Sequence, residues 1–185
     1  MITSIIEEVK RAQTVESNPW DASPFKDLIT MTIDARGRVG EEIISRAFAT
    51  TNREITEDIT DVNDGNKYDM IVDGKVIEIK TAYRDKGNSW QHENVYKNAG
   101  VDYVIFVDFD YEEVAITFVP TKKIPFGERN AIFGKKATLR GNKDDGYKLD
   151  FSNRTHENLT KAGFLKRFSP NATEQEIGTW LTTMM

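Results

Sequence analysis

Between Val39 and Phe48 the apolar residues are Val39, Ile43, Ile44, Ala47 and Phe48, a spacing that predicts an amphipathic helix. At 100° per residue, Glu41 falls about 110° from the centre of that stripe, on its flank, and Glu42 about 150° away, toward solvent. Either acid also suits the N-terminal half of a helix through the helix dipole. Upstream, Ile5, Ile6 and Val9 predict a first helix over Ile2 to Gln13, turns follow at Asn18-Pro19 and Ser23-Pro24, and Phe25 to Met31 reads as a short helical piece. Strand-like runs occupy Glu54 to Val62, Tyr68 to Val72 and Lys75 to Lys80, with a polar turn at Asn63 to Asn66. Ser89 to Ala99 reads as a helix, capped by Ser89 and stopped by Gly100. Val101 to Phe109 is apolar enough for a buried central strand, with Val114 to Val119 as its hairpin partner. A more exposed ribbon is expected at Lys135 to Leu139 and Tyr147 to Phe151, around a Gly141 to Gly146 turn. Two last helices are expected near Thr155 to Phe164 and Thr173 to Met184, the second with Thr173 and Glu176 at capping-box spacing. The class is α/β, a mixed central sheet flanked by helices, with a basic ribbon and helices toward the C-terminus.

The middle hairpin is the most specific of these elements. Asp73-Gly74 between two strand-like runs predicts a type I′ turn, which needs positive φ at both central residues. Val72 then faces Lys75, Ile71 faces Val76, Met70 faces Ile77, and Asp69 faces Glu78. Facing side chains have Cβ atoms roughly 4.5–5.5 Å apart. Lys80, two residues beyond Glu78, shares its face, while Ile77 and Ile79 point to the other side, toward a core. Two facing carboxylates repel unless positive charge lies between them. A divalent cation would supply that charge; so would Lys80, in a cross-strand cluster on a solvated face.

Composition narrows the metal. The chain has 185 residues, 38% hydrophobic and 30% charged, enough for one core or a core with an elaborated lobe. It has no cysteine and two histidines, His92 and His156, which argues against thiolate chemistry and the usual zinc sites. A metal held mainly by carboxylates points to a hard ion: magnesium, manganese or calcium. The net charge is −5, unevenly spread. Residues 1–120 carry 13 Lys/Arg against 23 Asp/Glu, and residues 121–168 carry 12 against 5. An acidic body with one basic segment suits carboxylates that hold metal beside a face that meets phosphate, and equally a plain solvated surface. No apolar run reaches the ~18 residues of a membrane span, and no signal-peptide pattern opens the chain, so a cytoplasmic protein is expected.

Asp69, a hairpin, then Glu78-Ile79-Lys80 resembles the PD-(D/E)XK nuclease signature. Gly40-Glu41 resembles the extra helix acid of many members, and Trp90-Gln91-His92 sits where some carry a glutamine opening the next helix. Tyr68, not proline, precedes Asp69 at a position that varies in the family. The likeness runs from about Arg36 to Val119, and small type II restriction endonucleases are the most similar group. It implies a restriction-endonuclease-like fold in a single nuclease domain over residues 1–185, with a core at about 36–119 and a DNA-contact elaboration at 120–168. It also implies a Mg2+-dependent endonuclease, with Mn2+ as a substitute, cutting double-stranded DNA as a homodimer. Asp69, Glu78 and the Ile79 carbonyl would hold one magnesium, Glu41 would hold or position a second, Lys80 would serve the attacking water or the phosphate, and Gln91 would orient Lys80 or touch DNA. Lys122, Lys123, Lys135, Lys136, Arg140, Lys143 and Lys148 are the candidate DNA contacts. Rival readings are a structure-specific repair or junction-resolving nuclease and a non-catalytic nucleic-acid-binding protein. Gly37-Arg38-Val39-Gly40 matches a KH-domain G-x-x-G loop, without the apolar helix that should lead into it.

Overall fold

The computed structural model describes residues 18–60, 67–97, 100–139 and 146–185. The helix expected at Ile2 to Gln13 and the turn at Asn63 to Asn66 lie outside them. Phe25 to Met31 contains a 3-10 turn, Lys26–Thr30. Helix α1, Ile33–Ala49, opens with Thr32 accepting from the Ala35 N–H at 3.2 Å. It begins six residues before the apolar stripe, because its first turn buries nothing: Ile33 is 78% exposed. Gly40, Ile44, Ala47 and Phe48 are buried, Glu41 is half-buried, and Glu42 faces solvent, where it pairs with Arg46 at 2.7 Å.

Among the described residues nine strands follow: β1 Ile55–Thr60, β2 Lys67–Val72, β3 Lys75–Tyr83, β4 Ser89–Val95, β5 Tyr103–Phe109, β6 Val114–Pro120, β7 Thr138–Leu139, β8 Tyr147–Ser152 and β9 Leu165–Phe168. Helix α2 is Asn153–Lys161, and α3 is Glu174–Met184 with the Thr173–Glu176 capping box formed. A six-stranded sheet runs β1-β2-β3-β5-β6-β9, and a second sheet runs β4-β8-β7. Within the large sheet β3 and β5 pair in parallel and the other neighbours antiparallel, so it is mixed. One face of it, Ile77, Ile79, Ile105, Val107, Ile116 and Phe118, packs under α1 and α3 through Ile44, Phe48, Ile177 and Leu181. The other face, Ala82, Val104, Phe106, Ala115 and Val119, packs on Trp90, Val95, Leu149 and Phe151 of the second sheet. Full burial of a side chain such as Ile44 or Phe48 contributes about 2–3 kcal/mol.

Two sequence expectations are corrected. In place of the helix expected over Ser89 to Ala99, Ser89–Val95 is strand β4. Its buried residues are Trp90 and His92, two apart, and then Val95 after a bulge at Asn94, whose φ is 56°. With His92 read as polar, that alternation is hidden in the sequence. The ribbon is also less exposed than expected, since Leu149 and Phe151 are fully buried and β8 is the middle strand of the second sheet.

His92 is buried because it meets Asp108 of β5 between the two sheets. His156 Nε2 hydrogen-bonds Asp108 Oδ2 at 2.8 Å from α2. His92 Nε2 lies 2.8 Å from Oδ1, off the line of an ideal hydrogen bond. Burial alone would raise the Asp108 pKa, but the two histidines outweigh it and hold the carboxyl below its usual range. One carboxylate thus ties the second sheet and α2 to the large sheet. Asp108→Ala should cost about 3–5 kcal/mol, because it strands two buried imidazoles. Urea unfolding checks this, and a loss under about 1 kcal/mol would show that packing alone holds the sheets.

Candidate active site

The turn residues Asp73 and Gly74 have φ of 48° and 74°, as a type I′ turn requires. Val72 pairs with Lys75, Ile71 with Val76, and Met70 with Ile77, the register read from the sequence. The ladder ends there. At the next step Asp69 does not simply face Glu78: its Oδ2 accepts the Ile79 backbone N–H at 2.6 Å. The carboxylate replaces the β2 carbonyl that a continued ladder would offer. In an antiparallel pair a residue's N–H and C=O leave the strand on the same side, so the Ile79 carbonyl is directed at this same edge.

Glu78 and Lys80 project from β3 opposite Ile77 and Ile79, and Lys80 Nζ is ion-paired with Glu78 Oε1. Their side chains are only 17–19% exposed. Glu41 arrives from α1, because Gly40 lets the helix lie against β3. A Cβ on Gly40 would stand 2.0 Å from Thr81 Oγ1. The three acids act on one another. Burial, then the charge of Glu78 and, more weakly, that of Glu41 push Asp69 up to about 7, against the pull of the Ile79 N–H and Lys80.

The cluster therefore sets three carboxylates against one ammonium, a deficit of two positive charges when all are ionised. A divalent cation fits that balance, and an all-oxygen donor set fits a hard one. Among the described residues no group of three or more His, Asp or Glu side chains is placed to hold a metal ion by itself. Two carboxylates and a backbone carbonyl are an open set, as suits magnesium, which keeps several waters.

The remaining expected residues lie elsewhere. Gln91 is on β4 rather than at a helix start, donating to Asp85 Oδ2 at 2.6 Å and accepting from Lys148 Nζ at 3.0 Å. These bonds tie it to the outer face of the second sheet rather than to Lys80. Lys148 also lies 3.6 Å from Asp150 Oδ2 and 4.0 Å from Glu93 Oε1. Lys135 is bonded to the Asp150 carbonyl, and burial lowers its pKa. Lys122, Lys123 and Lys136 are exposed; Arg140 and Lys143 lie outside the described residues. The buried trio His92, Asp108 and His156 escapes sequence reading, because nothing local brings these residues together.

No protein-family model matches the sequence, and no curated protein is significantly similar to it. Among solved structures the chain is similar to the crystal structure of MepB, at 12% identity and a TM-score of 0.39, over 71% of this chain and 97% of that one. It is also similar to a restriction endonuclease in complex with substrate DNA, at 14% identity and a TM-score of 0.40, over 81% and 78% of the two chains.

The Asp69 shift fixes a sign for stability. Between the ordinary value of 3.8 and about 7 the folded chain holds a proton that the unfolded chain has lost, so metal-free stability falls as pH rises through that window. Asp69→Asn keeps an acceptor for the Ile79 N–H and removes the charge. It should stabilise the metal-free protein by about 1–2 kcal/mol at pH 8, or about 2–6 °C in Tm, and by nothing near pH 4. Thermal unfolding in chelator at both pH values checks this; no gain at pH 8 would mean that the acids do not repel one another.

Proposed function

We propose that the chain is a magnesium-dependent endonuclease of the PD-(D/E)XK kind, hydrolysing phosphodiester bonds in double-stranded DNA. The reading is carried by one observation: where the β2–β3 ladder stops, Asp69 accepts the Ile79 N–H and feels the charges of Glu78, Glu41 and Lys80, three acids beside one ammonium. Asp69, Glu78 and the Ile79 carbonyl would hold the ion, and Glu41 would hold or position a second; manganese would substitute. When bound, the ion supplies positive charge to the phosphate and makes a water easier to deprotonate. Lys80, held against Glu78, orients the attacking water or lends its charge to the reacting phosphate. Asp69 keeps the Ile79 backbone in place, so the Ile79 carbonyl stays directed at the edge.

For DNA contact, the exposed Lys122, Lys123 and Lys136 are favoured over Lys135 and Lys148, which spend their charge on groups of the protein itself. Arg140 and Lys143 stay in the proposed set as basic residues of the same segment. Gln91 belongs with Lys148 on the second sheet and would touch the DNA backbone, not Lys80. The finer reading is a sequence-specific type II restriction endonuclease working as a twofold homodimer on a palindromic site, resting on the resemblance and the chain length.

Incubation of the protein with unmethylated phage DNA, in magnesium or in chelator, tests the reading. Discrete fragments in magnesium alone are expected, and intact DNA on both linear and branched substrates would remove it. Lys80→Ala should lower cutting by about 100-fold or more while leaving DNA affinity unchanged, because Lys80 serves chemistry. Normal cutting by this variant would remove the mechanism. Replacing both Lys122 and Lys123 by Ala should weaken DNA binding about tenfold at moderate salt and reduce the salt slope by about 2. Binding measured across a salt series checks that, and an unchanged slope would place the DNA elsewhere.

A further inference from the structure

On β3 the positions directed at the helices are Ile77, Ile79, Thr81 and Tyr83. Thr81 is the small polar member of that row, and its partner on β5 is the buried Val107. Burial alone would favour an aliphatic residue here. The threonine instead meets α1 at its two glycines. Thr81 Oγ1 donates to the Gly37 carbonyl at 3.4 Å, and a Cβ on Gly40 would stand 2.0 Å from that same oxygen. In an α-helix the Gly37 carbonyl also accepts the N–H four residues on, that of Glu41. One carbonyl oxygen thus joins the strand carrying Glu78 and Lys80 to the backbone of Glu41. Gly37 also lies beside the Glu41 carboxylate, where a Cβ would make ordinary contact with Oε1 at 3.6 Å.

We propose that Thr81 is a positioning residue: its hydroxyl, seated against Gly37 and Gly40, sets how near Glu41 stands to Asp69 and so tunes the affinity of the carboxylate cluster for a divalent cation. The inference rests on the metal-binding half of the nuclease reading. Lys80 and Thr81 are consecutive and point to opposite faces of β3. Any change in the seat of α1 on Thr81 therefore moves Glu41 relative to a Glu78–Lys80 pair held on the strand. A valine methyl in place of Oγ1 makes no hydrogen bond and is larger than the hydroxyl, so it pushes the helix outward where no Cβ is tolerated.

Manganese binding by calorimetry, on the full chain without DNA, tests this with Thr81→Val, Thr81→Ser, Glu41→Gln and the double variant Thr81→Val/Glu41→Gln. Thr81→Val should weaken manganese binding about five- to tenfold, the scale of coupling between residues in contact. Thr81→Ser, which keeps the hydroxyl, should bind as the parent does. In the Glu41→Gln background, Thr81→Val should bring no further loss, because the charge it positions is already gone. If Thr81→Val lowers Tm, Thr81→Ala removes the hydroxyl without crowding and should weaken binding in the same Glu41-dependent way. Parent-like binding by both Thr81→Val and Thr81→Ala, or a full additional loss in the Glu41→Gln background, overturns the proposal. A parent protein that binds no manganese overturns it together with the metal site. A parent that binds manganese and shows the expected cycle but cuts no DNA upholds the role of Thr81 and removes only the nuclease reading.

Discussion

The register of the Asp73–Gly74 hairpin is the constraint on which the rest depends. Side chains alternate along a strand, so a slip of one residue would turn Glu78 and Lys80 into the apolar core under α1 and expose Ile77 and Ile79. The cost of burying an ammonium and a carboxylate there, and of exposing two isoleucines, makes the slipped form far less stable. Two local features hold the register. The type I′ turn matches the strand twist at residues with positive φ, and Arg53 with the Glu54 backbone grips the Asp73 carboxylate from outside the turn. Once the register is fixed, β3 delivers polar groups to one face and aliphatic groups to the other. Helix α1 can then dock on the aliphatic face and bring Glu41 round to the edge.

How much of this was legible depends on whether the signal was local. The hairpin was, because a dipeptide and a two-residue alternation define it; Met70–Ile77 pairing and the opposite facing of Ile77 follow from these alone. The flank position of Glu41 was legible from helical spacing, whereas its approach to Asp69 needs the contact between Gly40 and Thr81, which joins segments about forty residues apart. Strand β4 was misread because its alternation runs through His92, whose burial is made possible only by Asp108 on a different sheet. Gln91 moved with it, from an expected helix start to the outer face of the second sheet. The basic segment was visible as composition, but composition does not say that Lys135 turns inward to the Asp150 carbonyl or that Lys148 lies among Gln91, Asp150 and Glu93.

Two aspartates of this chain, Asp108 fully buried and Asp69 half-buried, sit in opposite electrostatic states. Asp108 is enclosed with two imidazoles whose charge and hydrogen bonding hold its carboxyl below the usual range. Its charge is balanced within the fold, as expected of a group that serves structure. Asp69 has one backbone N–H and a lysine already engaged by Glu78, and two further acids oppose it. Its carboxyl is pushed up to about 7, near the pH at which the charged form would be needed. A fold free to optimise its own stability would replace one of these acids, since an uncharged side chain could accept the same N–H. In the proposed reading the missing positive charge comes from outside the chain.

Lys80, the one cation beside these acids among the described residues, differs from Lys148 on the second sheet. Lys80 lies against Glu78 with little exposure, one strand residue from Ile79 and Thr81, so it cannot swing away without losing its partner. Lys148 shares an open surface with Gln91, Glu93 and Asp150, and rearranges at little cost because exposed ion pairs contribute little. A phosphate approaching the hairpin edge therefore meets a fixed ammonium between carboxylates. One approaching the second sheet meets a lysine that exchanges one set of exposed partners for another. In the proposed reading pre-set geometry of the first kind suits chemistry on the phosphate, while Lys148, already shared among groups of the protein, is not among the favoured DNA contacts. That difference follows from where each lysine sits in the strand register rather than from how many lysines the segment contains.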